Sequence, residues 1–255
     1  MINLKDIHTH INSDVYCKHP GKSMAVSPLD IQNLYSAVTE NNYVVLNVHN
    51  KSLLSIMRML VKHFGEPLKD VGYRKKYLAK VEAIPKGKYY FNTKYSQPLH
   101  ADEGYRNTFP RFVSLYCIRP AANGGISTLV MVNELLSELK RVFEEDVEKL
   151  YLPDYIKIDS PCEESNKQIL FRLNQKKVGM SYSPIMRKLQ TTALGYDMIS
   201  FINQFIHDPN NQYRISLKKN DLLIMDNCQV LHGRTRFDDN DNRLLLRLWN
   251  NLVTL

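Results

Sequence analysis

The sequence predicts a mainly β protein, an antiparallel sandwich or jelly roll buttressed by helices. Short apolar runs of strand length crowd the second half of the 255-residue chain. Helical periodicity falls mostly in the first half and in insertions, and strands and helices do not alternate as a parallel or (β/α)8 fold requires.

Residues 1–26 read as irregular with one short strand. Ser27-Pro28-x-Asp30 then supplies a capping hydroxyl, a proline at the first helical position and an acid in the first turn. Ile31, Leu34, Tyr35 and Val38 follow at helical spacing. Tyr43–Val48 is a β-rich run, and a second helix is expected over Ser52–Phe64, closed by Gly65. Phe112–Ile118 and Thr128–Val132 read as buried strands joined by a turn at Pro120–Gly125. Asn133 is placed to cap an amphipathic helix carrying Leu135, Leu136, Leu139, Phe143 and Leu150. Further strands are expected at Gln168–Leu173, Val178–Tyr182, Tyr213–Leu217, Asp221–Met225 and Leu244–Trp249, with a helix around Tyr196–His207. No repeat, low-complexity tract or linker marks a boundary. The expectation is one domain over residues 1–255 with a helical insertion around 133–210.

Composition narrows the class. Hydrophobic residues make up 44% and charged residues 24%, enough for a substantial core. No apolar stretch is long enough for a membrane span, and the N-terminus lacks the layout of a secretory signal. Cys17, Cys117, Cys162 and Cys228 are far apart with no Cys-x-x-Cys pair, so buried free thiols in a reducing, cytoplasmic setting are expected. The net charge of +8 favours anionic partners. Much of it lies in Lys69–Lys94, with eight Lys/Arg interleaved with Tyr73, Tyr77, Tyr89, Tyr90 and Phe91 and followed by Tyr95. Such a mixture can bind single-stranded nucleic acid, but a solvated segment leading into the site is the preferred reading.

Three segments carry chemistry. In Gln97-Pro-Leu-His100-Ala-Asp102, residues i and i+2 of an extended chain share a face, so His100 and Asp102 can offer an imidazole and a carboxylate to one metal ion. In Asn220-Asp-Leu-Leu-Ile-Met-Asp226-Asn227-Cys-Gln-Val-Leu-His232-Gly-Arg, a buried strand and a turn deliver His232. Two histidines and one carboxylate on one face of a metal leave the other face open for co-substrate and oxygen, an arrangement that suits Fe(II). In Arg243-Leu-Leu-Leu-Arg247-Leu-Trp249, two arginines four apart in a strand share a side and can clamp a carboxylate.

With the Asn123-Gly-Gly-Ile-Ser127-Thr128 turn, these segments occur in the order found in the taurine dioxygenase and clavaminate synthase superfamily. The chain resembles that superfamily from about Tyr43 to Trp249, its carbapenem synthase-like members most of all. The resemblance implies a double-stranded β-helix (jelly-roll, cupin-like) core, Fe(II) held by His100, Asp102 and His232, and 2-oxoglutarate as co-substrate. It implies that Arg243 binds the distal carboxylate of 2-oxoglutarate with help from Ser127 or Thr128. Arg247 lies nearby, for co-substrate or substrate. The implied reaction uses O2, releases succinate and carbon dioxide and oxidises an unactivated C–H bond, by default hydroxylating an amino acid or related biosynthetic metabolite. Halogenation is not expected, because halogenating relatives carry a small residue where Asp102 stands.

Tyr105 and Arg106, just after the metal motif, are candidate substrate contacts, as is the Tyr89–Tyr95 stretch, and Asn227 is expected to order its loop. A homo-oligomer is compatible with all of this. Two rivals remain: a (β/α)8 metal hydrolase using His8 and His10, and an oxygenase directed at nucleic acid through the basic stretch.

Overall fold

The computed structural model describes residues 33–70, 76–159, 164–184, 188–238 and 240–255. The expected strand before residue 26, the helix start at Ser27, His8, His10, Cys17 and Cys162 lie outside the described residues.

Helix α1 (Leu34–Asn41) leads into strand β1 (Tyr43–Asn47), and α2 (Leu53–Phe64) follows. The Ser52 hydroxyl accepts from the Ser55 N–H at the start of α2, and Gly65 closes it at φ +83. Then come β2 (Pro67–Leu68), β3 (Leu78–Glu82), β4 (Gln97–His100), β5 (Thr108–Arg119) and β6 (Ser127–Met131). Helix α3 spans Val132–Phe143, so Asn133 falls inside its first turn and caps nothing. Short strands β7 (Ile156–Asp159), β8 (Glu164–Lys167), β9 (Leu170–Arg172), β10 (Val178–Met180) and β11 (Lys188–Gln190) precede α4 (Ala193–His207). The chain closes with β12 (Tyr213–Ile215), β13 (Asp221–Asp226), β14 (Val230–Arg234) and β15 (Leu244–Thr254).

Two antiparallel sheets form the core. The larger runs β1-β13-β5-β15-β2, with β3 also paired to β15, and the smaller runs β12-β6-β14-β4. Alternation along each strand separates three packing layers. Leu223 and Met225 of β13 meet Leu129, Met131 and Val230 of the smaller sheet between the sheets, with Trp249 and Leu245 of β15. Leu222 and Ile224 face the other way, onto Leu34, Val38, Ile56, Leu60 and Phe64 of α1 and α2. Val130 and Leu231 of the smaller sheet face α3 and α4 through Leu135, Leu139, Met198 and Ile202. The result is the expected jelly roll with helices on both outer faces. All sheet pairings among the described residues are antiparallel, so the (β/α)8 alternative fails; His63 and His207 lie within helices α2 and α4 rather than at strand ends.

Strand β4 contains a bulge. His232 stands opposite His100, yet Arg234 stands opposite Gln97, so β4 holds one residue more than β14 between those pairs. Pro98, which lacks an N–H, falls in the bulge at no cost to the ladder. The bulge also brings the strands close: a Cβ on Gly233 would meet the Gln97 carbonyl oxygen at 2.6 Å. The Asn-Gly-Gly turn has an equally physical basis. Gly124 and Gly125 have φ +73 and +64, and a Cβ on Gly125 would meet the Arg243 Cδ at 3.0 Å.

Candidate metal centre and anion pocket

His100 ends β4 and His232 lies on β14 directly opposite, so both imidazoles project between the sheets with ring centroids 4.5 Å apart. Asp102 is brought to them differently from the sequence expectation. The strand stops at His100, and Asp102 begins a turn. Its position is held by Asn227, whose carboxamide oxygen accepts from the Asp102 N–H at 2.8 Å. The Asn227 amide nitrogen donates to the carbonyls of Asp102 at 3.1 Å and Pro110 at 2.8 Å. Asn227 therefore clips the His-x-Asp turn to the β13–β14 turn, as its predicted ordering role requires. Asn227→Ala is expected to destabilise the fold by about 3 kcal/mol, because three buried backbone groups lose their partner. It is also expected to weaken divalent-metal affinity about 10–100-fold; denaturant melts and metal titration measure the two effects.

The ligand atoms of His100, Asp102 and His232 all lie within 4.8 Å of one another, and all three residues are buried. His100 Nδ1 donates to the Pro98 carbonyl at 2.8 Å, which turns the lone pair of Nε2 inward. That Nε2 is 3.2 Å from Asp102 Oδ1, and His232 Nε2 is 3.7 Å from the same oxygen. Ligands about 2.1 Å from a metal and at right angles stand about 3.0 Å apart, close to this spacing. Burial and the neighbouring His100 push His232 down to about 3, so its imidazole is neutral. The lone pair of the neutral His232 imidazole, facing the Asp102 carboxylate at this distance, repels it unless a cation lies between them. The donor set therefore fits a divalent metal.

Asp102 is ionised. Burial alone would raise its pKa, but the Arg247 guanidinium beside it holds it well below the usual carboxylate range. Arg247 Nη1 donates to both Asp102 oxygens at 3.2 Å, and Trp249 Nε1 donates to Oδ2 at 2.7 Å. The rest of the Arg247 fork goes to Asp70, with Nη2 at 2.6 Å and Nε at 3.2 Å from Oδ2. Asp70 escaped the sequence reading, because nothing local distinguishes it within the lysine-rich stretch.

Next to the cluster of His100, Asp102 and His232 lies a partly open cavity, lined among others by His232, Ser127, Gln97, Arg243, Arg247 and Arg234. Arg243 is buried and its Nη1 has no partner among the described residues. Burial pushes it down to about 10, so it stays cationic at neutral pH. Ser127 lines this cavity, whereas Thr128, the next residue of β6, faces the opposite side of the sheet. Arg234, the last residue of the His-Gly-Arg run, is a second buried guanidinium on the same cavity.

Tyr105 and Arg106 converge on Glu103, the Tyr105 hydroxyl at 3.0 Å and Arg106 Nε at 2.6 Å from Oε2. In the basic stretch, Tyr90–Asn92 forms a 3-10 turn and Phe91 reaches the cavity. Cys117 and Cys228 are buried free thiols.

A family model described as "Taurine catabolism dioxygenase TauD, TfdA family" matches residues 60–249. No curated protein matches the sequence. Among solved structures, asparagine oxygenase in complex with Fe(II), 2S,3S-3-hydroxyasparagine and succinate is similar at TM-score 0.71 and 17% identity, covering 87% of this chain and 78% of the other. PvcB from Pseudomonas aeruginosa is similar at TM-score 0.66 and 17% identity, covering 95% of each chain. The non-heme iron oxygenase OrfP in complex with Fe, succinate and (3S)-hydroxy-L-Arg is similar at TM-score 0.69 and 12% identity, covering 87% of this chain and 79% of the other.

Proposed function

Because the chain belongs to the TauD/TfdA family of dioxygenases, we propose that His100, Asp102 and His232 hold one ferrous ion and that 2-oxoglutarate is the co-substrate. The enzyme is a non-haem iron, 2-oxoglutarate-dependent oxygenase. The observation that carries this reading is the convergence of three buried ligand atoms within 4.8 Å, beside a cavity where Arg243 Nη1 and Arg234 Nε have no hydrogen-bond partner among the described residues. Structures of similar fold were solved with Fe and alpha-ketoglutaric acid, with hydroxyasparagine and with hydroxy-arginine. The substrate class proposed here is accordingly an amino acid or a related small metabolite, with hydroxylation as the default outcome.

Ferrous iron, once bound with 2-oxoglutarate and O2, supplies an oxidant able to break an unactivated C–H bond, while 2-oxoglutarate leaves as succinate and carbon dioxide. The chain's own residues position and insulate. Arg243 takes the distal carboxylate of the co-substrate, with the Ser127 hydroxyl from β6 as its partner. Arg247 is already shared between Asp70 and Asp102, so its role is to brace the metal's carboxylate. Tyr105 and Arg106, held on Glu103 just after Asp102 in the chain, are the residues proposed to meet the substrate. The chain works as one oxygenase domain in the cytoplasm. No helix of the described residues is long and apolar enough to cross a membrane.

The test is anaerobic addition of Fe(II) and then 2-oxoglutarate, followed by visible spectroscopy. A weak charge-transfer band of the chelate is expected. Admitting oxygen with a panel of amino acids present is then expected to release succinate, fastest with the true substrate. No band and no succinate under any condition would sink the reading.

A further inference from the structure

We propose that Arg234 is a second cation for the distal carboxylate of 2-oxoglutarate, and that it ties the bound anion to the 90–95 segment of the chain. The inference rests on the co-substrate reading above and adds a residue to it.

Arg234 lies two positions after His232 on β14, so both side chains share the inner face of the smaller sheet. Its directly opposed neighbours are Ser127 on β6 and Gln97 on β4, and all three line the cavity together with Arg243. The side chain is 4% exposed. Its Nη2 donates to the carbonyls of Thr93 at 2.9 Å, Tyr95 at 2.5 Å and Tyr90 at 3.3 Å. These are neutral acceptors. The Arg234 Nε has no partner, and no carboxylate pairs with the group among the described residues.

The contrast with Arg247 is informative. That guanidinium, equally buried, is compensated by Asp70 and Asp102. Arg234 and Arg243 share one cavity, repel each other and have no carboxylate between them. A buried guanidinium is costly unless an anion pairs with it. Two of them left with vacant N–H groups on one cavity point to a ligand that brings the missing carboxylate. The fork of Arg234 can serve both purposes, because Nη2 is committed to the loop carbonyls while Nε remains available. Since the 90–95 segment leads into the strand that ends at His100, an anion held by Arg234 also steadies the approach to the metal ligands.

The experiment titrates iron-loaded Arg234→Gln anaerobically with 2-oxoglutarate and, separately, with pyruvate, which has the same 2-oxo acid head and no distal carboxylate. The charge-transfer band and calorimetry both report binding. The expected result is a loss of 2-oxoglutarate affinity of about 10–100-fold, as for loss of a charged hydrogen bond, with pyruvate affinity changed less than about threefold. Iron affinity is expected to stay at the wild-type value. Equal loss for both acids would show that Arg234 only supports the fold, and an unchanged 2-oxoglutarate affinity would also overturn the proposal. If Arg234→Gln does not fold, Arg234→Lys is measured instead. Its single ammonium cannot serve the loop and the anion as a fork does, so a smaller loss, still selective for 2-oxoglutarate, is expected. Failure of wild-type protein to bind 2-oxoglutarate at all would overturn the underlying co-substrate reading, a different outcome from either of these.

Discussion

Asp102→Ala is expected to reduce iron affinity by more than about 100-fold, since losing an outer partner of a ligand alone costs about 10–100-fold. Turnover should fall below detection. The fold should survive, and the structure gives the reason. Arg247 keeps its two contacts to Asp70 when Asp102 is removed, so no buried cation is stranded. The Trp249 indole N–H, 2.7 Å from Asp102 Oδ2, does lose its acceptor, at a cost of about 1–3 kcal/mol. The signature is therefore a protein with a modestly lower melting midpoint, no charge-transfer band with Fe(II) and 2-oxoglutarate, and no succinate release. Asp102→Asn keeps the shape and removes the charge. It should bind iron better than the alanine variant and worse than wild type, which separates charge from packing. Full turnover in either variant would remove Asp102 from the metal centre.

The second large effect is predicted far from the metal. Asp70→Asn should destabilise the protein by about 2–3 kcal/mol, since two buried charged hydrogen bonds from Arg247 lose their ionised acceptor although Asp102 still balances the guanidinium. Asp70 and Arg247 are 2% and 7% exposed, so water cannot screen the loss. Asp102 would then be the sole counter-ion of Arg247. A carboxylate drawn more strongly to a guanidinium is a poorer ligand, and iron affinity should drop about 10-fold. The two consequences separate cleanly: excess Fe(II) should restore turnover but not the denaturant midpoint. An Asp70→Asn protein with wild-type stability and iron affinity would show that Arg247 needs only Asp102.

How much of this was readable from the chain varies with the range of the interaction. The α2 boundaries follow from Ser52 and Gly65, because capping is local chemistry. Helix α3 starts one residue before the expected cap at Asn133, because Met131 leaves β6 straight into the helix with no side-chain cap. The candidate metal ligands were identifiable because few residue types can hold iron and their order was distinctive. What placed Asp102 was not identifiable. The sequence suggested an extended His-x-Asp, whereas a turn clipped by Asn227, 125 positions away, does the placing. Asp70 is 177 positions from Arg247, and such a pair is invisible without the sheet that joins β15 to β3. Strand β3 itself alternates, with Ala79 and Val81 buried, but Lys80 and the lysines on either side of the strand made the stretch read as solvated. Arg234 was hidden for the opposite reason: an arginine after a glycine looks like a turn residue, and only burial reveals its missing partner.

Gly233 has a consequence for metal choice. Its lone hydrogen lets β4 approach until the Gln97 carbonyl is closer than any methyl group would allow, and the same two strands carry His100 and His232. The bite of the imidazole pair is thus fixed by backbone proximity. An alanine at that position would wedge the strands apart and open the cage towards larger, oxygen-preferring ions such as Ca²⁺, without altering a single ligand.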